Sequence, residues 1–297
     1  MTDADLSGRI ADQFSYRGPS SEVWRAFDLV LATDRYLNLG YSRRFQTHLL
    51  GAPQERLVGR VASELLETAG VTPGSRLLDL GCGRGGPSLA LATGADLDVV
   101  GVDLVPYNLA VARSHAAGRE RSPAYVTGDA TRLPFVDGTF PAIAAIDAVV
   151  YMPDKRAVFE EVARVLEPGG VCIVSDLLAA EATDPEGTTL QTFTNAWDMP
   201  PLATSGTYRA ALESAGLRLV TETDLSAHSI AGFRKWTALY LAIAESAGRT
   251  PLFELFERYG IDPDAMTEQV RAAHDALPSL RHVLLRIESD RDASGTR

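Results

Sequence analysis

Residues 77–92 read LLDLGCGRGGPSLALA: a short apolar run, a glycine-rich turn and a helix-forming stretch in immediate succession. The apolar run suits a buried strand. Gly81, Gly83 and Gly86 fall in GxGxxG spacing, and Pro87 follows where a helix tolerates proline, in its first turn. Glycines let the backbone approach a ligand where a Cβ would collide. The helix start, with free N–H groups and a positive dipole end, favours a negative group nearby. The stretch predicts a strand–loop–helix unit that meets a ligand, and a nicotinamide dinucleotide is the first ligand it suggests. A tight turn with no ligand is the plain alternative.

The pattern repeats outward from there. DVVGVDLV (98–105), AYVTGDA (124–130), PAIAAIDAVVY (141–151) and VCIVSDLLA (171–179) read as further strands. Between them lie the helical stretches PYNLAVARSHAAG (106–118) and DKRAVFEEVARVLEPGG (154–170). Strands that are apolar on both faces and alternate with helices imply a parallel sheet covered on both sides. Right-handed crossovers make it doubly wound. Beyond 180 the alternation breaks. Residues 181–206 read as irregular, 207–226 as one more helix–strand pair, 227–279 as mostly helical, and RHVLLRIES (281–289) as a last strand. The expected organisation is an N-terminal helical lid (1–65), a core (66–180), a cap segment (181–206), a core helix–strand pair (207–226), a helical cap insertion (227–279), and a last strand with a frayed tail (280–297).

Composition excludes several functions. The chain has 297 residues, 45% of them hydrophobic, and a net charge of −11 without a Lys/Arg cluster. Affinity built on neutralising phosphates is not expected, so nucleic acid is not an expected partner. No apolar run reaches the ~20 residues of a membrane span, and the acidic start MTDADLSGRIADQF lacks the basic and apolar regions of a secretory signal. A cytoplasmic protein that does not engage membranes is the expectation. Cys82 and Cys172 sit in apolar contexts with no CxxC and no adjacent His, so neither a disulfide nor a metal site is expected.

Three acids refine the ligand. Asp79 lies inside the first strand, where a carboxylate suits an ammonium group and would repel a pyrophosphate. Asp103 ends the second strand, placed to accept from both hydroxyls of a ribose. Asp129, in Gly128-Asp129-Ala130, ends the third, where it would accept from an adenine amino group while Ala130 leaves room for the ring.

With LLDLGCGRGG, VVGVDLVPYNLAVAR, VTGDATRLPFVDGTFPAI and VARVLEPGGVCIVSD in this order, the sequence resembles the class I S-adenosylmethionine-dependent methyltransferases. The nearest likeness is to the small-molecule subgroup of quinone-biosynthesis and natural-product tailoring enzymes. TYRAALESAGLRLV (207–220) fits the family's late helix and sixth strand. The resemblance implies an α/β, Rossmann-like, doubly wound sheet of seven strands, mostly parallel with the last antiparallel, under a mainly helical cap. It implies S-adenosyl-L-methionine as cofactor and S-adenosyl-L-homocysteine as product. Asp79, Gly81 and Gly83 would hold the methionine part, Asp103 with Leu104 the ribose, Asp129 and Ala130 the adenine, and Asp147 the methionine end. Tyr41, in LNLGYS, matches a tyrosine that closes over the cofactor in that subgroup.

Related O-methyltransferases place a His after the fourth strand; this chain has Ala148-Val149-Val150-Tyr151. Either Asp176, Tyr151 or His228 serves the acceptor, or the acceptor needs little deprotonation. The second case favours carbon, in an indole or alkene, slightly over oxygen or nitrogen. His48, His115, His274 and His282 read as solvated or packed. Tyr16, Trp24, Phe193, Trp197, Tyr208 and Trp236, with Met199, Phe233 and Tyr240, are candidates for an apolar acceptor pocket; core packing is the competing explanation. The expected partner is therefore a small-molecule acceptor, and such a fold is compatible with a homo-oligomer. A NAD-dependent oxidoreductase is a second reading, opposed by Asp79 and by the GDA and LEPGG motifs. A cofactor-binding pericyclase or other non-methylating module is a third.

Overall fold

The computed structural model describes residues 3–17, 21–31, 35–43, 52–68, 70–246 and 251–290. His48 and most of the expected tail lie outside the described residues. Seven strands make one sheet: β1 (Arg76–Leu80), β2 (Asp98–Asp103), β3 (Ala124–Thr127), β4 (Phe140–Ile146), β5 (Leu166–Ala179), β6 (Leu217–Asp224) and β7 (Leu280–Ser289). Their order is β3-β2-β1-β4-β5-β7-β6. The first five pair in parallel, and β7 is antiparallel to both β5 and β6. The order reverses between β1 and β4, so the C-terminal ends of these strands form the crevice where doubly wound sheets take ligands.

The helices are α1 (Asp3–Phe14), α2 (Glu22–Leu31), α3 (Ala52–Leu66), α4 (Gly86–Gly94), α5 (Pro106–Ala116), α6 (Lys155–Val165), α7 (Thr188–Ala196), α8 (Ser205–Ser214), α9 (Ile230–Ala244), α10 (Pro251–Arg258) and α11 (Pro263–Ala276). Apolar side chains separate into three cores. On one sheet face Val158, Phe159 and Val162 of α6 and Leu212 of α8 pack on Ile143, Val174 and Leu285. On the other, Leu57, Val61 and Leu65 of α3 and Leu91 of α4 pack on Leu77, Val99 and Ile173. The third core lies in the cap, where α1, α2, α7, α9 and α11 meet through Phe14, Trp24, Trp197, Tyr240 and Val270.

Three local readings change. α3, expected in the lid, covers a sheet face, because its buried positions form one apolar stripe. The segment 181–206 contains α7, whose four threonines weaken the helical signal in the sequence. The fourth strand stops at Ile146 instead of running to Tyr151. Asp147 adopts a left-handed φ of 52°, which turns the chain out of the sheet. A single 3-10 turn, Val149–Tyr151, follows.

Candidate functional site

A cavity of about 440 Å³ opens at the ends of β1, β2 and β4. Its floor is the glycine loop. Gly81 has φ 72°, and a Cβ on it would lie 2.6 Å from Ala148 Cβ. Gly83 has φ 52°, and a Cβ on it would lie 3.2 Å from Leu37 Cδ1. The loop is fastened to Asp103: Gly83 N–H donates to Oδ2 at 2.9 Å, while Val105 N–H (2.9 Å) and Asn108 Nδ2 (3.2 Å) donate to Oδ1. Burial raises the Asp103 carboxyl, and the two backbone donors oppose that. A carboxylate offers about four lone-pair positions, so these three donors leave Oδ2 able to accept once more. Asp129 lines the same cavity, its Oδ1 taken by the Thr131 N–H and hydroxyl, each at 2.8 Å. Leu104, Gly128 and Ala130 complete that wall.

A smaller cavity of about 100 Å³ adjoins it under the cap. Trp24, Phe193, Trp197, Met199, Phe233 and Trp236 line it, contributed by α2, the α7 region and α9. Trp24 meets Trp197 edge-on with ring centroids 5.7 Å apart, and Trp236 stacks between Phe233 and Tyr240. Leu37, Asn38, Asp147 and Tyr151 line both cavities and so mark where they meet.

Asp147 is the charged group at this junction. His282 Nε2 (3.0 Å) and Ser175 Oγ (2.7 Å) donate to its Oδ1, and Leu39 N–H (2.7 Å) donates to its Oδ2. Burial alone would raise its carboxyl; the His282 ring and the donors from His282, Leu39 and Ser175 overcome this and hold it below the usual carboxylate range. The next turn is fixed by the buried Lys155, whose ammonium donates to the carbonyls of Val149 (2.7 Å), Val150 (3.2 Å) and Met152 (2.5 Å). This ammonium replaces the backbone donors that the turn lacks and sets the position of Tyr151. Burial lowers the Lys155 amine to about 8, and the same cause raises the Tyr151 phenol.

The structure thus brings Gly81, Gly83, Asp103, Leu104, Asp129, Ala130 and Asp147 to one cavity, and Trp24, Phe193, Trp197 and Trp236 to the other, with Tyr151 on both. Seven expected residues, Tyr240 among them, line neither of the two. Asp79 is fully buried under the loop, where Ser88 Oγ of α4 donates to it at 2.5 Å; burial raises its carboxyl to about 7. Tyr41 packs on His228 with ring centroids 5.0 Å apart, and His228 Nδ1 lies 3.2 Å from the Ser42 carbonyl. Both therefore hold a loop. Tyr16 donates to Asp28 and lies under the Arg84 guanidinium. Tyr208 donates to Asp176 at 2.5 Å beneath the sheet. Asp176 turns inward because side chains alternate along β5: Ser175 reaches Asp147 and Leu177 reaches the cavity, so Asp176 faces α8.

Three site residues escaped sequence reasoning. Asn38 lies in the same LNLGYS loop as Tyr41. His282, read as solvated or packed, is packed, and its partner is Asp147, 135 positions away. Arg84, inside the glycine loop, is buried and pairs with Asp28 of α2 at 2.6 Å, tying loop to lid. No local pattern marks the last two.

S-adenosylmethionine suits the larger cavity. Asp103 keeps an acceptor position, Gly81 and Gly83 leave bare backbone, and Asn108 Oδ1 is buried without a protein partner. Comparison with known proteins agrees. The methyltransferase-domain family profile matches residues 78–174. The chain is 36% identical to the sterol 24-C-methyltransferase erg6 of Aspergillus fumigatus over 157 residues, 52% of this chain and 42% of that protein. It is 30% identical to the O-methyltransferase rstn1 of Aspergillus nomiae over 169 residues, 56% of this chain and 74% of that protein. The matches span about half the length of three curated sterol enzymes, at 42%, 54% and 41%, and 77% of a fourth. Among solved structures, a geranyl diphosphate C-methyltransferase from Streptomyces coelicolor superposes with a TM-score of 0.70 at 16% identity, covering 95% of this chain and 97% of that one. Strand order, glycine loop and sequence relatives together place the chain in the class I S-adenosylmethionine-dependent methyltransferases.

Proposed function

We propose that the chain transfers a methyl group from S-adenosylmethionine to a small, largely apolar acceptor, at carbon in preference to oxygen or nitrogen. The observation that carries the preference is the junction of the two cavities, whose polar side chains are those of Asn38, Asp147 and Tyr151. Asn38 does not titrate, the Tyr151 phenol is raised by burial, and the His282 ring with the other donors outweighs burial to hold Asp147 below the usual carboxylate range, a weak base. None suits removal of a hydroxyl proton. Asp176 and His228, the other candidates, line neither cavity.

When bound, the cofactor supplies an electrophilic methyl group on a sulfonium. The glycine loop and Asp103 would hold its nucleoside, and the aromatic walls would hold the acceptor in line and keep water out. Such positioning contributes ~7–11 kcal/mol to barrier lowering. Methylation of an alkene or indole carbon would leave the positive charge on the neighbouring atom, and a proton would then pass from the methylated carbon, or from a position next to the charge, to the Asp147 carboxylate, a base strong enough for so acidic a proton. The rings of Trp24 and Trp197 would stabilise that cation, and the Asp147 carboxylate would offset its charge.

Incubation with methyl-labelled cofactor and a panel of alkenes, indoles, phenols and amines tests this. The expected product carries label on carbon, with S-adenosylhomocysteine formed in equal amount. Label on oxygen or nitrogen would overturn the preference, and product without label would overturn methyl transfer itself.

A further inference from the structure

All three tryptophans of the chain, Trp24, Trp197 and Trp236, line the smaller cavity. Its charge, size and polar groups each restrict what enters. Among its described lining residues there is no Lys, Arg or His, and the one charged side chain is the Asp147 carboxylate. The arginines Arg35 and Arg84 line the other cavity, and Arg84 is engaged with Asp28 and Tyr16. A phosphate in the smaller cavity would meet a carboxylate and no counter-charge, in surroundings where screening is weak.

The volume, about 100 Å³, is below the ~150 Å³ of an apolar cavity that admits one benzene. A branched unsaturated unit of about five carbons fits; a fused ring system does not, which narrows the alkene or indole of the proposed acceptor to the alkene. Finally, Asn38 is only 7% exposed, and neither its Oδ1 nor its Nδ2 has a protein partner; Gln54 Oε1, on the same wall, also has none. A buried amide left unpaired costs free energy. A hydroxyl, which both donates and accepts, satisfies both sides of it.

We infer that the acceptor cavity takes a neutral, unsaturated unit of about five carbons whose hydroxyl pairs with the Asn38 amide, and that it rejects the same unit as a diphosphate ester. The choice of cavity rests on the methyltransferase reading above. The walls hold the carbons, and Asn38, which borders both cavities, fixes the polar end beside Tyr151 and Asp147.

The tryptophans provide the test, because their emission reports this cavity directly. The full chain, saturated with S-adenosylhomocysteine, is titrated with isoprenol, with isopentenyl diphosphate, and with the deoxy hydrocarbon of the same skeleton. Isoprenol is expected to change the emission saturably, and the diphosphate to give no response at ten times that concentration. In Asn38→Leu, isoprenol binding should weaken roughly ten-fold, as for one lost hydrogen bond, while hydrocarbon binding holds. Diphosphate binding as tight as the alcohol would overturn the charge assignment. No saturable response to any of the three would overturn the substrate class. Equal loss of alcohol and hydrocarbon in Asn38→Leu would overturn the Asn38 contact. Calorimetry of S-adenosylmethionine on the wild-type chain separates this from the wider reading: absent cofactor binding refutes the methyltransferase, whatever the emission shows.

Discussion

The two cavities share four residues yet are built by opposite means. The larger is made of backbone: bare glycine peptides, strand ends, and carboxylates placed one per strand at the ends of β2 and β3. The smaller is made of side chains drawn from α2, the 36–39 loop, the α7 region, α9 and α11. Backbone recognition requires a fixed local order of residues, so the sequence announces it. Side-chain recognition requires only convergence in space, and many sequences converge equally well. Under the proposed function the same difference divides the tasks: the first cavity serves a ligand common to a family, the second a ligand particular to this chain.

Substitutions can break or sharpen that division. The largest effect is expected under the glycine loop. Asp79 has its carboxyl raised to about 7 by burial against an ordinary 3.8. Keeping it neutral costs nothing below pH 4, and the penalty grows between pH 4 and 7 as the unfolded chain ionises while the folded chain does not. Stability attributable to this group therefore falls as pH rises across that window and is constant above it. Asp79→Asn, which still accepts from Ser88, should be more stable than wild type by roughly 2–4 kcal/mol at pH 8 and equal at pH 4. Chemical denaturation at both values checks this; a pH-independent difference would show that Asp79 is not neutral in the fold.

Next comes Asp103→Ala, expected to weaken S-adenosylmethionine about 100-fold by calorimetry, since charge-assisted hydrogen bonds and the anchor of Gly83 are lost together. Unchanged affinity would remove Asp103 from the cofactor site. Trp236→Leu should raise the acceptor KM about ten-fold and leave cofactor affinity within about two-fold. Comparable losses of both would mean the two cavities do not divide the ligands. The smallest change is expected for Tyr151→Phe, at the shared boundary: kcat lowered about three-fold, in the range of one net hydrogen bond, with cofactor affinity kept. A reversed pattern would assign Tyr151 to the cofactor.

How much the sequence discloses follows the same division. Alternating apolar strands and helices give the sheet, and the GxGxxG loop with Asp103 and Asp129 gives one cavity. The cap aromatics Trp24, Phe193, Trp197 and Trp236 can be listed from their segments, but so can Tyr16 and Tyr208, which line neither cavity; nothing local tells a lining ring from a packed one. Asp176 fails by parity: one position along β5 reverses the face. Tyr41 and Asn38 lie three residues apart in one loop, and the backbone path decides which reaches the cavity. His282 is the hardest case, since a histidine among alternating apolar residues in a last strand gives no hint of a carboxylate 135 positions earlier.

The Leu39 N–H held by Asp147 joins the floor of the site to its rim with one backbone hydrogen bond. Leu37 and Asn38, just before it, border both cavities. The two cavities thus share one stretch of wall, and the carboxylate beside it bears on both, so a disturbance at Asp147 reaches cofactor and acceptor together.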